Sequence, residues 1–157
     1  MLKPYVFVAC EKVIIDQSIG PPPPTGSGPA SLINLFSKII VEVDTEIPAN
    51  AVGPKEWAIF SMWDVEPGDE NKHYILCTSM LYPDGRQFGE VTRIPIPVIL
   101  GQRSQMVIRI SGFPLGQAGF YTARTWIEES QQTVFGPIEF KIELQVIVTK
   151  QQQPHLQ

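Results

Sequence analysis

A chain of 157 residues with 43% apolar and 18% charged side chains has the composition of one globular domain and is too apolar for a disordered segment. A net charge of −4 and a pI near 5.1, with no cluster of Lys or Arg, argue against nucleic-acid binding, which needs a basic patch to neutralise phosphates. The charge is uneven: residues 57–92 carry 2 positive and 6 negative side chains, whereas residues 93–157 carry 6 positive and 4 negative.

The apolar run Tyr5–Cys10 is broken by Glu11 and Lys12, too early for a signal core or a membrane span, so a cytoplasmic protein is expected. Tyr5 to Ile15 reads as an opening strand. The run Gly20–Pro29 holds five prolines and cannot pair in a sheet, so it is expected as an exposed loop, about residues 20–30, part of it polyproline II. Leu32, Leu35, Phe36, Ile39 and Ile40 follow helical spacing behind a possible Ser31 cap. Ile39, Ile40, Val41 and Val43 are strand formers, which makes 31–37 a short helical turn leading into a strand.

Trp57–Val65 and Tyr74–Tyr82 are apolar at both parities, as central strands are, and Glu66–Asn71 between them is a turn. Tyr82-Pro83-Asp84-Gly85 is a second turn, with Pro setting φ and Gly accepting a positive one. Two prolines two apart in Ile94-Pro95-Ile96-Pro97 fit a sheet edge or a crossing between sheets. Met106–Ile110 and Phe120–Glu128 read as strands, Ile138–Val148 is apolar at every second position, and the polar stretch Glu128–Gln132 between the last two reads as a hairpin connection. Gln151–Gln157 reads as a frayed tail. The sum is one all-β domain over residues 1–150, a two-sheet antiparallel sandwich of about seven or eight strands with at most one helical turn.

Leu115 followed by Gly119 and Tyr121 at a strand start resembles the tyrosine corner of immunoglobulin-like Greek-key sandwiches, in which a phenol hydroxyl bonds backbone a few residues upstream. Tyr121 is therefore expected in the core with its hydroxyl on that backbone.

Catalytic motifs are missing. There is no Gly-x-Ser-x-Gly, no phosphate-binding glycine loop and no paired-histidine motif, and His73 and Cys77 are about 13 Å apart along a strand. Cys10 and Cys77 lie in apolar runs and read as buried thiols, a disulfide between them being the alternative. The acidic stretch Asp64, Glu66, Asp69, Glu70 lacks the alternation of a calcium loop and reads as a solvated turn. No cofactor, metal or enzyme activity is expected. Trp57, Trp63 and Trp126 admit a sugar-stacking platform, but Trp57 and Trp63 share a face with Ile59 and Val65, which favours the core.

Ala9–Asp16, Leu32–Phe36, Pro54–Phe60 and Gly119–Tyr121 together resemble a family of small bacterial proteins known as a domain of unknown function. The resemblance implies a β-sandwich and a bacterial source, with the Pro21–Pro29 stretch as an insertion, and it carries no activity. The charged pairs Glu11–Lys12 and Lys55–Glu56, the latter leading into Trp57, are the best ligand-binding candidates if they rim one pocket, with Trp63 beside them. The expected function is a binding or assembly module for a protein partner. The alternative is a sandwich that binds carbohydrate or another small ligand through aromatic side chains.

Overall fold

The computed structural model describes residues 1–15 and 30–149, in which the chain forms nine strands and no helix. The expected proline loop and the expected tail fall outside the described residues. The strands are β1 (Lys3–Ile15), β2 (Ala30–Leu35), β3 (Lys38–Val43), β4 (Val52–Asp64), β5 (Tyr74–Leu81), β6 (Gln87–Pro95), β7 (Arg103–Pro114), β8 (Gly119–Glu129) and β9 (Gln132–Val148). One sheet has the order β2-β1-β4-β7 and the other β3-β9-β8-β5-β6. Their inner faces meet in a sandwich-like arrangement.

Three expectations change. The segment at 31–37 is not a helical turn: β2 pairs antiparallel with β1 from Cys10↔Leu35 to Ile15↔Ala30, one strand more than expected. Nor is the architecture wholly antiparallel, because β3 runs parallel to β9 from Lys38↔Glu143 to Val43↔Val148. The chain passes from the first sheet to the second at Phe36–Ser37 and there lies alongside the last strand. Finally, the polar connection at 128–132 shrinks to Ser130–Gln131, both at positive φ (50° and 64°), as a two-residue hairpin between right-twisted strands requires.

Trp57, Ile59 and Trp63 from β4 face Leu76 of β5, Tyr121 and Ile127 of β8, and Ile142 and Leu144 of β9 in the main core. Aromatic contacts cross between the sheets: Phe7 meets Phe140 at 4.8 Å, Phe113 meets Tyr121 at 5.0 Å and Trp63 meets Phe135 at 5.8 Å between ring centroids. Both Cys10 and Cys77 are buried free thiols. The expected crossing at Leu115–Tyr121 is present: fully buried Tyr121 donates its hydroxyl to the Gln117 carbonyl at 2.8 Å. Replacing Tyr121 with Phe removes that bond without opening a cavity and is expected to cost about 1 kcal/mol in a urea titration.

The acidic loop between β4 and β5 is organised from within. Asp69 is fully buried, and its carboxylate accepts from the Tyr74 hydroxyl at 2.7 Å and the Glu66 backbone N–H at 3.1 Å, with the Met1 ammonium also 3.1 Å away. Burial alone would raise its pKa, but the Tyr74 bond, the ammonium and the Glu66 N–H outweigh burial and hold it below the ordinary Asp value. A carboxylate lowered in the folded state stabilises it above the unfolded value of about 3.9 and loses that contribution as pH falls through the lower folded value. Asp69→Asn should therefore lower the urea midpoint at pH 7 and flatten its decline below about pH 4 relative to the parent.

Candidate functional site

The first sheet is apolar on both faces. On β4, Trp57, Ile59 and Trp63 point inward, while Ala58, Phe60 and Met62 point outward and pair with Cys10, Val8 and Val6 of β1. Phe60 and Cys10 are nonetheless buried, at the centre of a second cluster completed by Val13, Ile15, Ala30, Leu32 and Val107. Pairing of β1 with β4 stops at Cys10↔Ala58, whereas pairing with β2 continues to Ile15↔Ala30. Simple alternation from Phe7 and Ala9 would send Val13 and Ile15 to the inner face. The alternation breaks at Glu11–Lys12, opposite Asn34, which takes a left-handed φ of 52°. Beyond this break, the end of β1 and β2 form an arm laid against the outer face of the first sheet.

A cleft of about 440 Å³ opens where the arm departs. Glu11, Lys12 and Val13 line it from β1, Glu56, Trp57 and Ala58 from β4, and Val107, Arg109, Ile110 and Ser111 from β7. The register that brings Arg109 and Ser111 in is Glu56↔Ser111 and Ala58↔Arg109. The β4–β7 pairing slips between Gly53 and Glu56, with Gly112 opposite at a φ of +88°; a Cβ there would lie 2.6 Å from a Val52 methyl. This irregularity separates Lys55 from Glu56. Lys55 Nζ bonds Glu11 at 2.7 Å and lies over the Phe36 ring, and Asn34 also donates to Glu11 at 2.7 Å. Together the bonds from Lys55 and then Asn34 hold the Glu11 carboxyl below its usual pKa.

Four of the six expected residues, Glu11, Lys12, Glu56 and Trp57, thus line one cleft, with Lys55 bound to its rim. Trp57 offers the cleft no platform: its side chain points into the core, is 2% exposed, donates to the Gly112 carbonyl at 3.1 Å and packs on Phe36 and Phe113. Trp63 is not brought to the cleft. It lies near the other end of β4, 0% exposed, with its indole N–H on Ser61 Oγ at 3.0 Å. Arg109 and Ser111 escaped the sequence reading because only strand register places them here.

Among the described residues, Lys12, Glu56 and Arg109 make no ion pair or hydrogen bond through their side chains, and no group of three or more His, Cys, Asp or Glu is placed to hold a metal. No described helix is long and apolar enough to cross a membrane. Comparison with protein-family models finds no match, and comparison with curated proteins finds none either. Phe60 and the unpaired charges should separate cleanly in denaturation experiments. Phe60→Ala is expected to cost about 3–5 kcal/mol by emptying the outer cluster, whereas Glu56→Ala and Arg109→Ala should stay within about 0.5 kcal/mol of the parent.

Proposed function

We propose that this chain is a non-catalytic protein-binding or assembly module of immunoglobulin-like type, and that it engages its partner along β2. The run β5-β8-β9 in one sheet and β1-β4-β7 in the other parallels the strand order of immunoglobulin-like sandwiches, and the Tyr121–Gln117 bond fits the same crossing. The resemblance to small bacterial proteins agrees with this architecture and adds no activity. Free Cys10 and Cys77 are compatible with a reducing compartment.

The observation that carries the reading is a comparison of the four sheet edges. β3 carries Lys38 and Glu42. β6 carries Glu90, Arg93 and Pro95, and its pairing with β5 is irregular. β7 carries Arg103, Arg109, Gly112 and Pro114. Such charges, prolines and bulges are what keep an edge from pairing with a foreign strand. β2, with the sequence Ala-Ser-Leu-Ile-Asn-Leu, has none of them.

Two of its four exposed side chains are also apolar, beside Ser31 and Asn34. Leu35 is 60% exposed and Ile33 39%, and Ile14 on the neighbouring strand is 43% exposed. Unpaired Lys12, Glu56 and Arg109 lie around the adjoining cleft. An apolar strip with a charged margin is the anatomy of a protein interface, and an open edge accepts an extended segment by strand addition. The sugar-platform alternative loses Trp57 and Trp63, whose rings are buried in the core.

A photo-cross-linking side chain at Ile33, in protein expressed in its native host, should give one discrete adduct. Leu35→Lys should abolish that adduct, and the same cross-linker at Lys141 should give none. Adducts of equal yield at both positions, or none at Ile33, would overturn the proposal.

A further inference from the structure

The outer face of the second sheet is built differently from that of the first. On its central strands β5 and β8, Ser79 lies opposite Arg124, and Cys77 opposite Trp126. The strands on either side both leave regular pairing at this level. The β5–β6 register shifts between Thr78 and Met80, that is, at Ser79. The β8–β9 register shifts on either side of Ile127, and Gly136–Pro137 falls in the irregular stretch. At Gly136, with φ at +92°, a Cβ would stand 2.9 Å from the Thr125 carbonyl oxygen and 3.1 Å from Trp126. Bulges of this kind re-aim side chains and gather beside binding sites.

Between the two irregularities lies a recess of about 350 Å³, lined by Ser79, Gln87, Arg124, Trp126, Thr133 and Pro137. Its size falls within the range of small-ligand sites. Trp126 is half-buried, and its indole N–H is fixed on Glu128 Oε1 at 2.9 Å. Arg124 Nε is buried and has no hydrogen-bond partner, the nearest carboxylate oxygen being that of Glu139 at 3.6 Å. A buried donor left unsatisfied is costly and calls for an acceptor.

From this we infer that the recess binds a pyranose sugar, with Trp126 lying against the apolar ring face and Arg124, Gln87, Ser79 and Thr133 meeting the hydroxyls. A sugar combines one C–H face with a perimeter of groups that both donate and accept. The lining offers an aromatic ring, a guanidinium, an amide and two hydroxyls, which complement that perimeter. The charges nearby also favour a neutral ligand. Arg124 stands beside Glu139, and Arg93 stands 3.8 Å from Glu128, so neither sign prevails. This site is on the sheet opposite the β2 edge, and its failure would leave the strand-addition reading untouched.

The test is titration of the ¹⁵N-labelled protein with methyl glycosides of glucose, galactose, mannose, N-acetylglucosamine and glucuronic acid, following the Trp126 indole resonance. At least one neutral glycoside should shift that resonance saturably, and the glucuronide should bind no more tightly than the glucoside. Trp126→Ala and Arg124→Ala should each weaken binding by about tenfold or more. Thr133→Val, at an exposed position, gives a further reading should Trp126→Ala fail to fold. Thermal midpoints of the variants identify any loss of fold. The inference is overturned if no glycoside moves the indole resonance, or if binding survives Arg124→Ala and Thr133→Val in folded protein unchanged.

Discussion

The fold depends on covering a sheet that is apolar on both sides. From Trp57 to Trp63, β4 offers Trp, Ile and Trp to one face and Ala, Phe and Met to the other. The second sheet covers the inner face. Leaving Phe60 alone in water would forfeit about 1.5–3 kcal/mol of burial, and Val8, Met62 and Val107 would add to the loss. The chain meets this demand with its own first strand. β1 detaches from β4 after Cys10, and the arm it makes with β2 lays Val13, Ile15, Ala30 and Leu32 on the exposed face. The cleft is the geometric remainder of that detachment. The open edge of β2 is its other consequence, because a strand used as a cover has one side left without a neighbour among the described residues.

Sequence pattern revealed the parts of this design that depend on one strand at a time. The period of two in the apolar residues of Ile138–Val148 appears as the half-buried second half of β9. The even spacing of Trp57 and Trp63 places both on the inner face, and the spacing from Leu115 to Tyr121 marks the crossing between sheets. The segment from Leu32 to Ile40 misled for a physical reason. Its helical spacing arises because successive apolar residues serve different surfaces. Leu32 packs on the outer cluster, Leu35 lies exposed on the edge, Phe36 rests on Trp57 and Ile40 is exposed on β3. No single helix face produced the pattern.

The cleft was half legible for a related reason. Glu11–Lys12 and Lys55–Glu56 stand out locally as charges interrupting or introducing apolar runs, and the pairing Cys10↔Ala58 brings both pairs to one place. Arg109 is an ordinary polar residue in an alternating strand. Only its position opposite Ala58 makes it part of the site, and a register between strands some fifty residues apart has no local signature. The recess beside Trp126 was hidden in the same way, since its walls come from β5, β6, β8 and β9.

The two sheet exteriors sort ligands by what each leaves unsatisfied. On the first, the arm covers much of the apolar surface and leaves a strand edge that no other described strand pairs, so the complementary object is another extended chain. On the second, the recess beside Trp126 is lined mainly by polar residues. Cys77 and Ser79 are buried beneath longer side chains, and the Cys77 thiol is pushed up to about 11, chiefly by burial and then by the Glu128 carboxylate, which keeps it protonated and inert. An unreactive buried thiol is a packing element. What remains chemically demanding there is the buried Arg124 Nε–H, which faces the Glu139 carboxylate at 3.6 Å without a hydrogen bond. A donor whose desolvation has been met by folding, and whose partner has not, favours a ligand that brings oxygen in the plane of the guanidinium over one that merely brings charge.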